Sequence, residues 1–397
     1  PPYIRIQEIK NKSLGLSKYF TDVGYESATK NFDLSVLFLE QGHKLLKENG
    51  VLAYITTNKF LQSDYGVGIR NYITSKKIMK TIIDFGDQQV FPGQTTYTSI
   101  IFLQKTQTNS VKYCLIKNLS NFQEIIMKIY RLDEYDSEDV RIIKINNSFF
   151  DDTPWMFLNK KEQEIFQKTE SMQKLGDEKT SKIFVGLQTS ADPIYIVNSI
   201  ENQKKFQIES KKHEEKFSVE QDLFVPVITG MGLQRWNVSW KNKWLLFPYV
   251  VRENEVRLVD EEHIQKQLPL TWNYLSQSKK FLDKREKGSL KNIPNWHKYV
   301  YEKNLTLFSK PKIVTGVLSK RANFSLDSNG TFYFVGGGNA GVYGISLVEK
   351  SGFSYEYIIG LLNSSLLDWF VKKKSSRFHN GYFSYAKRFI ESLPIMK

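Results

Sequence analysis

The sequence predicts an α/β sheet in its first part, followed by a β-rich α+β domain. Three features carry this. Helix-like and strand-like patterns alternate between residues 32 and 105, which is the mark of an α/β sheet. From about Lys182 onward, short aromatic and β-branched runs alternate with Gly, Asn, Asp and Pro turns. A charged, helix-prone stretch separates the two textures.

Taken in order, FDLSVLFLEQGHKLLKENG (residues 32–50) places Leu34, Leu37, Phe38, Leu45 and Leu46 at helical spacing, with Gly50 as the stop. VLAYITTNKF reads as a buried strand, DYGVGIRNYITSKK as a second amphipathic helix and KTIIDFG as a second strand. After the Pro92-Gly93 turn, YTSIIFLQK (residues 97–105) is a third strand. The last two strands lie close enough in sequence to pair antiparallel. Residues 1–120 thus form one domain and 121–181 a charged helical connector, in which KKEQEIFQK is a solvated helix. Residues 182–397 form the second domain, with KIFVGL, PIYIVN, KWLLFPYVV, KIVTGVL and TFYFVGGG as its strands. SYEYIIGLLNSSLLDWFVKKK is a closing helical stretch before a basic, aromatic tail.

Charge points to a partner. Lys and Arg outnumber Asp and Glu by 56 to 42, a net +14 in 397 residues, which favours a polyanion and most simply nucleic acid. The single cysteine, Cys114, excludes an intrachain disulfide framework and a Cys-rich zinc site, and the five histidines form no H-x-x-x-H pair. No metal is expected. No apolar run approaches the roughly 20 residues that a membrane span needs, and cytoplasm is the expected compartment.

The first six residues, PPYIRI, hold the chemistry. Two prolines forbid a helix or a central strand there, because neither ring can donate a backbone hydrogen bond. Such a turn follows something, so the chain is expected to begin inside a motif. A Pro-Pro-aromatic turn resembles the one that follows Asn or Asp in the catalytic loop of amino-group DNA methyltransferases. Base amines are poor nucleophiles, since the lone pair is delocalised into the ring. The resemblance implies that carbonyls held rigid by the prolines accept the amine hydrogens while the aromatic stacks on a base rotated out of the duplex.

With its downstream context, the chain resembles a TaqI-like, gamma-class N6-adenine DNA methyltransferase of the type II and type IIG restriction–modification systems. The resemblance covers the part after the catalytic motif together with the target-recognition domain. PPY is similar to the motif N-P-P-Y without its leading Asn, which makes Pro1, Pro2 and Tyr3 the catalytic turn. NFDLSVLFLEQGHKLLKENGVLAYITTNKF resembles the next helix and strand, where the family holds an aromatic against the cofactor adenine; Phe38 falls there. TIIDFGDQQVFPGQTTYTSIIFLQK is similar to the last strand pair of the catalytic domain, and its V-F-P assigns Phe91 to the flipped adenine. Tyr3 and Phe91 would then sandwich the base at the carboxyl ends of one sheet's strands. Unaided by the resemblance, Phe38 in a Leu-rich stripe reads as core.

DLFVPVITGMGLQRWNVSW, PKIVTGVLSKRANFSLD and RFIESLPI resemble the family's specificity domain. Chemistry alone nominates Lys320, Arg321, Lys372, Lys373, Lys374 and Arg377 for DNA contact, because Arg can grip guanine bidentately and Lys supplies phosphate charge. GGGNAGVYG contains a literal G-x-G-x-x-G at Gly336, Gly338 and Gly341. A dinucleotide loop must open a helix, whereas VYGISLVEK reads as a strand, so a loop at a DNA interface fits better.

The resemblance implies the C-terminal half of a Rossmann-like methyltransferase sheet, S-adenosylmethionine as cofactor with its main motifs upstream, and double-stranded DNA as partner. A restriction endonuclease domain or subunit is a further implied partner. As it stands, lacking the Gly-rich cofactor loop, the chain is expected to be inactive alone. Two alternatives stay open: a specificity module acting only with a partner chain, and the C-terminal part of a fused endonuclease–methyltransferase.

Overall fold

The computed structural model describes residues 1–397 apart from 94–95, 201–205, 254, 289–290, 292, 376 and 397. It divides into two compact units: Pro1–Ser171 with Ser376–Gly381, and Met172–Ser375 with Tyr382–Lys397.

The first unit opens with the helical pair α1 (Ile6–Lys12) and α2 (Leu14–Asp22), then α3 (Leu34–Lys44) and β1 (Val51–Thr57). Asp33 starts α3 by accepting the Ser35 amide at 2.9 Å. The helix ends at Lys44, not at Gly50: Leu34 and Leu37 are buried, but Leu45 is 75% exposed, outside the stripe that faces the core. α4 (Val67–Lys76), β2 (Met79–Asp84), β3 (Thr98–Gln104) and β4 (Ser110–Ile116) follow, then α5 (Phe122–Arg131), β5 (Tyr135–Asp136), β6 (Val140–Asn146) and α6 (Lys160–Thr169).

The sheet order is β1-β3-β2-β4-β6-β5. β3 runs antiparallel to both its neighbours, so β1 and β2 are parallel and their carboxyl ends share one edge of the sheet. The expected antiparallel pairing of the second and third strands is present, with Ile83 opposite Ile100. β1 stands at the end of the order and is only half-buried, where the sequence pattern suggested a buried strand. Residues 121–171 belong to this unit, and β6 pairs with β4 along its whole length. That stretch therefore adds strands to the sheet as well as helices; its charges lie on outward-facing positions that alternate with buried Val140, Ile142, Ile143 and Ile145. α6 is the solvated helix that KKEQEIFQK suggested, closed by a capping box between Asn159 and Glu162.

In the second unit, β7 (Ser181–Val185) is followed by a short turn of helix, α7 (Asp192–Tyr195), with Pro193 in its first turn, so only the end of PIYIVN is strand, as β8 (Ile196–Ser199). β9 (Gln207–Ser210), β10 (Glu215–Ser218), β11 (Phe224–Ile228), β12 (Lys243–Leu246), β13 (Tyr249–Arg252) and β14 (Glu255–Leu258) precede the helices α8 (Glu261–Gln267) and α9 (Pro269–Leu282). Then come β15 (Lys312–Gly316), β16 (Leu318–Ser319), β17 (Phe324–Asp327), β18 (Tyr333–Phe334) and β19 (Val342–Leu347). The chain ends with α10 (Tyr355–Leu362), α11 (Ser365–Lys374), the short β20 (Arg377–Phe378) that belongs to the first unit, β21 (Tyr382–Ser384) and α12 (Lys387–Ile390).

Two sheets hold this unit, in the orders β10-β9-β8-β12-β11-β18 and β17-β15-β19-β7, around an aromatic core that includes Phe184, Tyr195, Tyr299, Phe308 and Phe334. The closing helical stretch is made of two helices, α10 and α11. The Asn363 side chain bonds both the Phe324 amide (3.0 Å) and its carbonyl (2.9 Å), and Ser364 caps α11 through the Leu367 amide.

Candidate functional site

In the first unit the opening turn runs extended, and the Arg5 and Asp33 backbones bridge. Ile6 donates to Phe32 O at 3.0 Å and Leu34 to Ile4 O at 2.9 Å, so this segment is tied to the start of α3. Tyr3 is half-buried and its hydroxyl donates to the Ile55 carbonyl of β1 at 3.1 Å. Burial, with Asp33 adding to it, raises its phenol above the ordinary value. Beside it, burial raises the Asp33 carboxyl, against the Ser35 hydrogen bonds, and lowers the Lys59 ammonium, with Arg5 acting in the same direction. Tyr3, Arg5, Asp33 and Lys59 thus form one electrostatic cluster near the carboxyl end of β1.

The neighbouring strand ends are latched by Asp84. This buried carboxylate accepts from Asn58 Nδ2 (2.8 Å), the Gly86 amide (2.9 Å) and the Tyr113 hydroxyl (2.9 Å), which joins the ends of β1 and β2 to β4. Burial pushes its carboxyl up, opposed by those three bonds. Phe91 sits in the loop that follows, 39% exposed. Phe38 on α3 is 45% exposed, so the core reading of its stripe does not hold for this ring.

Arg377 is engaged in the same unit. Its Nε lies 3.4 Å from Asp87 Oδ1, Asp87 Oδ2 accepts the Gly381 amide at 3.1 Å, and the His379 amide donates to the Tyr97 hydroxyl at 2.9 Å. Its carboxylate partner, rather than an open charge run, describes this arginine.

The second unit carries a cleft of about 750 Å³ between the β11–β12 connection, β15–β17 and the glycine loop. Arg235, Lys320, Arg321, Gln234, Asn339 and Tyr382 line it, and no carboxylate is among its described lining residues. The structure therefore brings Lys320 and Arg321 together with the GGGN loop. The Lys320 ammonium lies 5.4 Å from the centre of the Tyr382 ring. Lys372, Lys373 and Lys374 lie instead on the last turn of α11: Lys372 pairs with Asp368 at 2.7 Å, Lys373 covers the Trp369 ring, and Lys374 donates to Ser392 Oγ at 2.9 Å. Burial, with Lys174 nearby, lowers the Lys374 ammonium.

In the glycine loop, close packing applies to Gly336 and Gly341, whereas Gly338 sits at φ +53° with nothing within 4 Å of a Cβ. A Cβ on Gly336 would lie 2.6 Å from Gly186 O, and Gly337 has φ +114°. β19 follows as a strand, not a helix. Sequence reasoning passed over Arg235 and Gln234, although both stand in the quoted GMGLQRWNVSW; what could have flagged them was a basic residue beside Trp in a turn between two strand-like runs.

A family profile described as Eco57I restriction-modification methylase matches residues 1–91, and a TaqI-like C-terminal specificity domain matches residues 225–395. The first part of the chain thus resembles a restriction-modification methylase and the second a TaqI-like specificity domain. The Escherichia coli type II restriction enzyme and methyltransferase RM.Eco57I is 26% identical over 412 residues, spanning 100% of this chain and 39% of that protein. The type II methyltransferase M.BstVI of Geobacillus stearothermophilus is 20% identical over 404 residues, 99% of this chain and 65% of that protein. The chain thus spans from about two fifths to just under two thirds of these two relatives' lengths. Among solved structures, the type IIL restriction-modification enzyme MmeI, solved in complex with DNA, shares its fold at a TM-score of 0.55 and 12% identity, over 99% of this chain and 45% of that one.

Proposed function

We propose that the whole protein is an S-adenosylmethionine-dependent DNA adenine-N6 methyltransferase of a restriction–modification system, to which this chain contributes the base-handling end of the catalytic domain and the target-recognition domain. The observation that carries the reading is the hydrogen bond from Tyr3 to Ile55 O, which holds an aromatic ring of the opening turn against β1 while leaving it part-exposed. Phe91 follows β2, whose carboxyl end lies at the same edge of the sheet. Two rings on one sheet edge suit a flat, extruded base, whose stacking contributes about 1–3 kcal/mol per base. Pro1 and Pro2 stiffen the turn from which backbone carbonyl groups would accept the amine hydrogens.

S-adenosylmethionine would supply the methyl group, and Phe38, an exposed ring on α3, fits a role against its adenine. Duplex DNA would be read by the second unit through the cleft that Lys320 and Arg321 line. The resemblance over the full chain to a relative named as both restriction enzyme and methyltransferase favours a second activity, DNA cleavage, in the same protein.

The test is methyl transfer by the full-length protein from labelled S-adenosylmethionine to duplex DNA, with digestion to nucleosides. Label in N6-methyladenine supports the reading. Label in methylcytosine, or none on DNA, overturns it. Cutting of the same duplex with Mg²⁺ present checks the second activity.

A further inference from the structure

Trp236 follows the cleft residue Arg235 and is exposed over 44% of its surface, with φ at +81°. A bulky side chain at positive φ is an outlier that the surroundings must hold in place. They do so bond by bond. The Trp236 amide donates to Phe324 O at 2.9 Å and its carbonyl accepts from Leu326 at 3.3 Å. Ser325 Oγ donates to Gln234 O at 2.6 Å, Asn323 Nδ2 to Leu233 O at 3.1 Å, and the Gln234 amide to Asn237 O at 3.1 Å. The Arg235 guanidinium lies 5.1 Å from the centre of the Trp236 ring and also bonds the Asn363 carbonyl.

Single exposed apolar residues need no explanation. This one differs, because β17 clamps its loop on both sides of a strained residue whose ring then faces water. A fold shaped only for stability would place glycine there, which takes φ +81° without strain. The partner is selected through Arg235, which lies over the Trp236 ring and itself lines a cleft with Lys320, Arg321 and amide side chains and no carboxylate among its described lining residues. Cationic and amide donors around an exposed aromatic suit a polyanion with flat faces.

We propose that Trp236 is a specificity-determining residue that stacks on a base of the target duplex, with Arg235 held over its ring to reach a base edge or the adjoining phosphate. The inference rests on the reading of the second unit as a duplex-binding domain.

The experiment presents a randomised duplex library to the full-length protein and sequences the bound fraction, for the wild type, Trp236→Gly and Trp236→Phe. Trp236→Gly relieves the backbone and removes the ring. The expected result is a melting temperature equal to or above the wild type, loss of preference at one or two adjacent positions of the selected site, and about tenfold weaker binding to that site. Trp236→Phe should keep the preference. Unchanged selection and affinity in Trp236→Gly would overturn the proposal, as would loss of the fold, which marks a structural role. If the wild type selects no duplex, the domain reading itself fails and this inference goes with it.

Discussion

The Tyr3 hydroxyl donates to the Ile55 carbonyl at 3.1 Å, so a residue three positions from the start of the chain is fixed to a strand 52 positions away. The bond orients the ring and the stacking holds the base, and two substitutions separate these roles. Tyr3→Phe keeps the ring and loses the anchor; methyl transfer by the full-length protein should fall about tenfold, the worth of one well-placed hydrogen bond. Tyr3→Ala loses both and should fall by at least a further tenfold, as should Phe91→Ala. Equal rates for Tyr3→Phe and Tyr3→Ala would show that the ring does not touch the base.

Four of the six cations nominated together from sequence should separate by salt dependence. Lys320 and Arg321 line the cleft, whereas Lys374 bonds Ser392 and Arg377 pairs with Asp87. Lys320→Ala and Arg321→Ala should each reduce the slope of log affinity against log salt by about one. Lys374→Ala and Arg377→Ala should leave the slope unchanged. A uniform effect of all four would mean a diffuse basic surface.

Gly336 and Gly186 approach so closely that a Cβ on the first would sit 2.6 Å from the backbone oxygen of the second. Gly336→Ala should destabilise the second unit by about 2–3 kcal/mol, read by urea denaturation. A neutral result would mean that β7 and the glycine loop can part freely.

Glu40 gives the pH prediction. This buried carboxylate accepts from Lys44 (2.6 Å), from the Ser27 amide (2.8 Å) and hydroxyl (2.6 Å), and from the Glu26 amide (3.2 Å). Burial alone would raise its carboxyl; the bonds from Lys44, Ser27 and Glu26 outweigh it and hold it below the ordinary 4.5. Its folded value is depressed, so its stabilisation is fully present above the unfolded value and is lost as pH falls through the folded one. Glu40→Gln should be less stable at pH 7 by about 1–3 kcal/mol. The gap should narrow in acid below about pH 4.5. Parallel stability curves for the two proteins would refute the assignment.

By itself the sequence determined the fold class and the helix–strand alternation, because apolar periodicity is written locally in stretches such as TSIIFLQ and LSVLFLEQ. It also settled that the glycine motif precedes a strand, since β-branched VYGISL cannot easily begin as a helix. Helix ends were harder. α3 stops at Lys44 while leucines continue, and the break at Asn363 depends on bonds to Phe324, 39 positions away. Charge fates were only partly local. Lys372 and Lys373 meet Asp368 and Trp369 one turn back on the same helix, but only tertiary structure decides that Lys374 meets Ser392, that Arg377 meets Asp87 and that Lys320 and Arg321 line a cleft. The same holds for Arg235 and Trp236, whose geometry is imposed by β17 from some 90 positions further along. Periodicity reports which face of an element is apolar; the partner across the fold is set by how the elements pack, and no local pattern encodes it.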